Sequence, residues 1–564
     1  MISGQEEKEQ PLVTSGKRLT WSWRRVIVAG ALCLIIPVVL FITASQLTHA
    51  QGPYWLSYSF ENPYAYLFSS LLMLDNQAPE HVEHPGTTTQ VFGAFVLRAS
   101  STKSQDDLIK SVLIHPESSL RKIHRALLLF VVLSLWVFPW ITAVVLRNYL
   151  IGLLIQVPAL FYQSVLSYTM FLGSDLMVVP FSIATVCLCA MLIAPSSTPK
   201  QLEFLFGLGV TSADATSMRL LRIPAIVALT GLTCAFGMAT KLTFFPLVLI
   251  SLFCCRTLRN LAIFATTFIL GLAVVLLPIH SKLGVLWTWI FNVGTHKGIY
   301  GTGEVGLPGT TEYLGSVRSL LEAEPLIAII PLVVGVGVLV LSLGNSSAKH
   351  LLSRFSWRTV LPLLGVQIVS FLAVAKHPGA HYLIPLCIST GLSLVLLFYV
   401  LRSADGAVIR RVGGWIALVG LLFLGFKDFV ELTPQMYGKL RDWKTDLLGL
   451  YQHAQQITQN DVRVDYFYSD SPEYPLSYAN GFSRQVFGPL LASLYPNKLF
   501  LNVFSGKFET FTGSIDVKTV LEQHDHLYFL GEPSLLGNIN GLDPKTFETI
   551  DQAGGFYLQK WTRK

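Results

Sequence analysis

Long apolar runs alternate with short basic breaks over the first three quarters of this chain. Eleven runs are long enough, or nearly so, to cross a bilayer: 26–47, 125–146, 149–163, 176–194, 223–240, 242–255, 261–279, 326–343, 359–375, 382–401 and 412–426. Several fall short of the ~20 residues a membrane helix usually needs. The narrowest break is Lys241, which alone separates two runs. Basic residues cluster before the first run (Lys17, Arg18, Arg24, Arg25) and in alternate breaks (Arg147; Lys200, Arg219, Arg222; Arg256, Arg259; Lys349, Arg354, Arg358; Arg402, Arg410, Arg411). Short basic loops stay on the cytoplasmic side. Counting runs from there predicts a cytoplasmic N-terminal tail over 1–25 and a membrane domain over 26–426. Two long polar loops, 48–124 and 280–325, then lie outside, and so does the C-terminus. Long loops of this kind are usually functional.

The pattern changes after residue 427. Strand-like runs at 462–468, 498–503, 526–530 and 555–561 interleave with helical patterns, which predicts a small soluble α/β domain over 427–564. The fold class is therefore a polytopic α-helical membrane protein of about eleven helices with a small extracytoplasmic α/β domain. Inside the first loop, Leu108, Ile109, Val112, Leu113 and Leu120 fall on one face of a helical stretch over 105–124. Such a stretch is expected to lie along the membrane surface.

Composition supports this layout. Hydrophobic residues make up 52% of the 564 and charged residues only 13%, about half the usual soluble share. The net charge of +7 comes with no dense Lys/Arg tract, so a nucleic-acid partner is not expected. All seven cysteines (Cys33, Cys187, Cys189, Cys234, Cys254, Cys255, Cys387) lie in apolar runs, which leaves no disulfide framework and no zinc-type pair. The polar residues before the first run do not form a cleavable leader, so that run is expected to be retained.

The first outer loop holds the most informative residues. It opens Ser59-Phe60-Glu61-Asn62-Pro63-Tyr64-Ala65-Tyr66 and turns at Glu83-His84-Pro85-Gly86-Thr87-Thr88. Glu61 sits just past the first run among aromatics, where partial desolvation raises a carboxylate toward the range of a useful base. The alternative is a solvated acid at a helix N-terminus, favoured there by the helix dipole.

The membrane part resembles the C-type glycosyltransferases, in particular the branch of protein O-mannosyltransferases and the bacterial aminoarabinose transferase. Four segments carry the resemblance: Glu61 at the acidic opening of the loop, the Glu83-His84-Pro85-Gly86 turn, Thr240-Lys241-Leu242-Thr243-Phe244-Phe245-Pro246, and His381-Tyr382-Leu383-Ile384-Pro385. The resemblance covers about residues 20–425 and leaves out the tail. One departure is Phe60, which stands where the family's acidic pair has its first acid.

This resemblance implies transfer of a hexose or pentose, with inversion, from a polyprenyl-phosphate-linked donor to an acceptor on the outer face. Glu61 is then the base, with Glu83 and Asp175 as the next candidates. An acid such as Asp175, at the outer end of a span, is by default functional; the alternative is an interfacial acid. His280, Lys282, His296, Lys297, Arg318 and Lys376 put positive charge on the same face, matched to the donor phosphate. The substrate-binding set is His84, Lys241, His296, Lys297, Tyr300, Lys376, His381 and Tyr382. Three of these, His296, Lys297 and Tyr300, lie in a glycine-rich stretch, 294–309, that suits a mobile substrate loop and lacks the Walker spacing.

His84 and His377 each open a His-Pro-Gly. Histidine beside carboxylate can hold a divalent cation, but the spacing is not diagnostic. No metal ligand is assigned; no cofactor is certain, and a divalent cation is the one candidate. The rival functions are an envelope polysaccharide polymerase or ligase, a transporter of a lipid-linked substrate, and a non-catalytic assembly factor. The Asn-x-Ser/Thr sequon Asn345-Ser346-Ser347 falls on the predicted inner side. Together with cysteine-free outer loops, that points to a bacterial inner membrane.

Overall fold

The computed structural model describes residues 23–57, 61–82, 85–194, 214–298, 301–306, 308–342, 356–403, 408–458, 461–466, 471–503, 505–538, 542 and 546–563. The chain enters through α1 (Trp23–Gln51). On this helix Ala29, Cys33, Ile36, Leu40, Ala44 and Leu47 are buried, while Val28, Leu34, Ile35, Val38 and Ile42 are exposed. The buried set recurs every three or four residues, which is one helix face. The other face is equally apolar and exposed, the mark of a helix whose surroundings are lipid.

The first long loop folds into α2 (Glu61–Leu74), α3 (Thr87–Ala99) and α4 (Gln105–Ile114). The helical body continues with α5 (Pro116–Val145), the short α6 (Tyr149–Gln156), α7 (Pro158–Phe161) and α8 (Gln163–Tyr168), and α9 (Ser174–Ile193). Then come α10 (Asp214–Thr240), α11 (Phe245–Cys254), α12 (Leu258–Val275), α13 (Leu283–Thr295), α14 (Thr310–Ala323), α15 (Leu326–Ser342), α16 (Ser356–Val374), α17 (Ile384–Ser403) and α18 (Val408–Ile457). The segments around α9 and α17 form the packed centre, and α12 lies at the periphery. All seven cysteines are buried and free.

Two prolines share one repair in this body. Pro37 in α1 and Pro139 in α5 lack the N–H that would bond the carbonyls four residues earlier. Those carbonyls belong to Cys33 and Leu135. The buried Gln156 side-chain amide donates to both, at 2.7 and 2.5 Å. Beside it, the Trp136 and Trp140 indoles donate to Gly30 and Val26 carbonyls at 3.0 and 3.1 Å. These bonds fix α5 against α1.

The length of the apolar runs needs a correction. Among the described residues six helices are long and apolar enough to cross a membrane, or seven if Thr310–Ala323 and Leu326–Val340, bent by 85°, form one span. Three of the runs appear as the shorter apolar helices Tyr149–Phe161, Leu242–Cys254 and Val360–Val374. The first of these is interrupted at Val157, before Pro158. The break read at Lys241 is real: the residue is extended and a 3₁₀ turn, Leu242–Phe244, follows it.

A second correction concerns 105–124. Leu108, Ile109, Val112, Leu113 and Leu120 are all buried in the protein core, so this face is spent on packing and not on the membrane surface. His115, next to Pro116, also splits the stretch into α4 and the start of α5.

No break separates the membrane body from the tail at residue 427. Helix α18 runs through it for 50 residues, about 75 Å at 1.5 Å per residue. Its far end meets the C-terminal sheet. That sheet comprises β1 (Arg463–Asp465), β2 (Leu499–Asn502), β3 (Lys507–Thr510), β4 (Gly513–Ile515), β5 (His526–Gly531), β6 (Phe547–Ala553) and β7 (Phe556–Thr562), in the order β4-β3-β2-β1-β5-β7-β6. The central β1 is parallel to β2 and β5, and the outer pairs are antiparallel.

Side chains alternate across the sheet with period two. Leu499, Leu501, Leu527 and Phe529 pack on one core, whereas Phe500, Tyr528 and Leu530 join the core continuous with the helical body. Both faces are therefore covered. The first-loop helices dock on this domain through the Phe68 and Phe487 rings, 5.6 Å apart, and the Tyr495 hydroxyl, which donates to the Leu113 carbonyl at 2.8 Å.

Candidate functional site

Asp175 lies in the first turn of α9, after Gly173 and Ser174, where the helix dipole favours an acid. Lys241 follows the last residue of α10. The chain break there turns the lysine inward, and its Nζ sits 2.5 Å from Asp175 Oδ1 with both side chains under 5% exposed. The Tyr382 ring faces the same ammonium at 4.8 Å, a cation–π contact. His381 stacks near Tyr382, with ring centroids 4.0 Å apart, and near Tyr168 at 5.2 Å.

The Pro85-Gly86 turn joins this cluster through the backbone. Gly86 N–H donates to the Thr240 carbonyl at 3.2 Å, and the Thr88 and Thr240 hydroxyls are 2.5 Å apart. Gly86 adopts φ +63°, and a Cβ there would stand 2.8 Å from the Tyr66 ring. Conformation and space both require glycine. Tyr66 belongs to α2, the helix that Glu61 opens. Three of the four sequence segments thus converge on Lys241, and the fourth begins the helix that packs against the turn.

A largely apolar cavity of about 260 Å³ adjoins the pair. Lys241, Tyr382 and His377 line it, with Phe245, Trp289 and Val374 among the apolar walls. One side is closed by the end of α13. There Lys376 Nζ donates to the Val293 and Gly294 carbonyls at 2.9 and 2.7 Å, and His377 Nε2 lies 3.0 Å from the Val293 carbonyl. A cation at a helix C-terminus is favourably placed.

The other sequence candidates fall in several places. His296 and Val305 form an isolated bridge that closes the glycine-rich stretch, and Lys297 N–H donates to the Glu304 carbonyl at 2.8 Å. The Glu61 side chain and all of Glu83, His84 and Tyr300 lie outside the described residues. Two of the expected cations meet carboxylates. Lys282 pairs with Glu80 at 2.9 Å, and the exposed Arg318 pairs with Glu322 at 2.7 Å, one helical turn on. Among the described residues no three His, Cys, Asp or Glu side chains gather as metal ligands would.

Sequence reasoning passed over three acids and a histidine. Glu117 accepts from the Tyr54 and Trp55 N–H groups at 2.9 and 3.1 Å and from the Tyr64 hydroxyl at 2.7 Å. It thereby ties the end of the first span to α2. His124 lies 2.6 Å from the Tyr54 hydroxyl and 2.8 Å from the Thr169 carbonyl. Burial, and then the Glu117 carboxylate, push the Tyr54 phenol well above its usual value, so it stays a neutral hydrogen-bonding group. Glu324 accepts from Ser164 N–H at 2.6 Å. Glu80 also meets Arg484 of the C-terminal domain at 3.0 Å. The signal for Glu117 was its place after a proline at a helix start.

Fold and site together define an integral membrane protein whose helical body carries a buried ion pair beside an apolar cavity, with a seven-stranded domain docked at one end. Two solved structures are similar in fold. One is ArnT from Cupriavidus metallidurans bound to undecaprenyl phosphate: 9% identity, 95% of this chain and 97% of that chain covered, TM-score 0.48. The other is the Archaeoglobus fulgidus oligosaccharyltransferase in its apo form: 11% identity, 92% and 70% covered, TM-score 0.39. No residue role transfers from either protein at these identities. No family model and no curated protein sequence matches the chain.

Proposed function

We propose that the protein is a membrane glycosyltransferase. It moves one sugar from a polyprenyl-phosphate donor to an acceptor hydroxyl on the membrane face that carries the sheet domain. The reading rests on the buried Lys241–Asp175 pair, whose lysine lines a largely apolar cavity. Burying two charges costs several kcal/mol per ion unless geometry and hydrogen bonds repay it. An ammonium has three protons to donate. One goes to Asp175, which leaves capacity for a phosphate oxygen. The apolar cavity next to it suits the first isoprene units of the lipid.

In this mechanism the acceptor oxygen attacks the anomeric carbon in line. The new C–O bond forms as the bond to the phosphate oxygen breaks, with inversion. The electron pair leaves on the lipid phosphate, held by Lys241, and the hydroxyl proton passes to a carboxylate. Glu61 is that base. Asp175, occupied by Lys241, is a positioning residue, and Glu83 is the reserve candidate. His84, His296, Lys297, Tyr300, Lys376, His381 and Tyr382 complete the substrate contacts. The topology is N-terminus inside and C-terminus outside, in a bacterial inner membrane.

The test measures binding of polyprenyl phosphate to purified protein. Lys241→Met should weaken it about tenfold to a hundredfold, the worth of one charge-assisted contact. Ala373→Trp, which fills the cavity and leaves the ion pair intact, should weaken it too. Normal binding in both variants overturns the reading. With polyprenyl-phosphate sugars and membrane extract as acceptor source, Glu61→Gln should bind donor normally and lose transfer by at least about a hundredfold. If Glu61→Gln stays active while Glu83→Gln is dead, the site stands and the base is reassigned to Glu83; Asp175→Asn should lose donor binding along with transfer, as a positioning residue does.

A further inference from the structure

Two segments must stand in register for the proposed transfer. One opens α2 at Glu61, and the other enters α9 at Asp175. A buried set of hydrogen bonds runs between them. Glu117, in the first turn of α5, accepts from the Tyr64 hydroxyl at 2.7 Å and from the Tyr54 and Trp55 N–H groups at 2.9 and 3.1 Å. Tyr64 stands one helical turn after Glu61 on α2. Tyr54, in the 3₁₀ turn Tyr54–Leu56 beyond α1, is 1% exposed. Its hydroxyl lies 2.6 Å from His124 Nδ1, and His124 Nε2 lies 2.8 Å from the Thr169 carbonyl. Thr169 caps the end of α8, six residues before Asp175.

The direction of each bond follows from its partners. A carbonyl only accepts, so His124 Nε2 carries the hydrogen. The neutral ring then accepts at Nδ1, and the Tyr54 hydroxyl donates. The Glu117 carboxylate only accepts, so Tyr64 and the two backbone groups donate to it. Tyr54 is the joint: its N–H serves the acid that holds α2, and its hydroxyl serves the histidine that holds the approach to α9. Apolar faces can slide over one another, whereas a hydrogen bond weakens steeply as it bends. A buried polar network with its members satisfied specifies one arrangement of the elements it joins.

We infer that Tyr54, Glu117 and His124 are positioning residues for the transfer: through Tyr64 and the Thr169 carbonyl they set the start of α2, with the proposed base Glu61, against the segment that carries Asp175 and, through it, Lys241. The inference rests on the proposed glycosyl transfer. Donor affinity depends on Lys241 and its cavity. The network sets how the base meets a donor already bound, so its loss acts on the rate of transfer and spares binding. A misplacement of about 1 Å between reacting groups can cost about a hundredfold in rate.

The experiment compares Tyr54→Phe, Tyr64→Phe and Tyr495→Phe in the full-length protein, each of which removes one hydroxyl and keeps the ring. Tyr495 is the control, since its hydroxyl donates to the Leu113 carbonyl and takes no part in the network. Transfer is measured at saturating polyprenyl-phosphate sugar with membrane extract as acceptor source, and polyprenyl phosphate binding is measured on the same preparations. Tyr54→Phe and Tyr64→Phe should each lower transfer at least about tenfold and leave binding within about twofold of wild type. The double variant should fall no further than the worse single one, because either break frees the same register. Tyr495→Phe should keep transfer. Wild-type transfer tests the reaction itself, and the variants relative to wild type test the positioning. An active wild type with unchanged transfer in Tyr54→Phe or Tyr64→Phe overturns the inference and leaves the reaction standing. So do losses that multiply in the double variant, or a loss of binding as large as the loss of transfer, either of which makes the bonds merely structural. A wild type that transfers from none of the donors overturns the reaction, and the inference falls with it.

Discussion

Lys241 and Asp175 meet 2.5 Å apart inside the helical body, and Arg463 and Asp465 meet at 2.7 Å where α18 lies on the sheet. Each pair is buried, and each cation also faces a tyrosine ring, Tyr382 at 4.8 Å and Tyr451 at 5.1 Å. They differ in chemistry and in what lies beside them. Arg463 uses two nitrogens on two oxygens, at 2.7 and 3.3 Å. Burial opposes its charge, and the Asp465 carboxylate together with Tyr451 and Glu473 outweighs burial and raises its pKa. Lys241 makes a single-point contact and lines a cavity. The arginine pair lies within β1, and its cation reaches α18 through the Tyr451 ring. The lysine pair holds a charge ready at an opening. A buried ion pair alone does not mark a functional site; the space it faces does.

The largest expected effect comes from unpairing. Lys241→Met and Arg463→Met should each cost about 3–5 kcal/mol, because each leaves a buried carboxylate without its partner. Replacing both members by apolar residues, Lys241→Met/Asp175→Leu and Arg463→Met/Asp465→Leu, should recover most of that loss in thermal or urea unfolding. Here the two pairs should part. The 463/465 double variant should bind polyprenyl phosphate like the wild type, and the 241/175 double variant should not. Equal binding by both would make the lysine pair structural as well.

Gln156 gives a purely structural reference in the same body as Lys241. Gln156→Leu leaves the proline-freed carbonyls of Cys33 and Leu135 without a donor. Each unsatisfied buried group costs about 1–3 kcal/mol, so a loss of at least about 2 kcal/mol is expected for the two. Lipid-phosphate affinity per folded molecule should not change. A drop in affinity would mean that the α1–α5 contact shapes the cavity, and the separation between fastening and function would fail.

Periodicity and turn chemistry made much of this legible. The four strand-like runs became β1, β2, β5 and β7. The three missed strands have physical reasons: β3 and β4 have four and three residues, and β6, Phe547–Ala553, is a mostly polar edge strand. The Lys241 break was visible because a lone lysine interrupts two apolar runs. Its partner was not, since Asp175 is 66 residues away and only packing brings α9 to α10. Gln156 shows the same limit. Pro37 and Pro139 announce two carbonyls in need of donors, but nothing local says that one amide serves both. Glu117 was missed because its surroundings were read as an amphipathic surface stretch, whereas the burial of Leu113 and Leu120 makes that segment core.

The smallest effect should come from a third pair, which extends the comparison to the surface. His453 on α18 and Asp551 on β6 stand 2.5 Å apart with side chains 46% and 36% exposed. The hydrogen bond from His453 lowers the Asp551 pKa below its ordinary value. A carboxylate whose folded pKa is lowered contributes stability above its unfolded pKa, about 3.9, and loses it as pH falls through the lower folded value. At this exposure water screens the pair, and surface pairs contribute about 0–1 kcal/mol. Asp551→Asn should therefore cost less than about 1 kcal/mol in urea unfolding at pH 7. The difference from wild type should persist to about pH 5 and shrink below about pH 4. A cost as large as that of Arg463→Met would mean that the exposed margin between α18 and the sheet matters as much as the buried Arg463, which meets α18 through Tyr451.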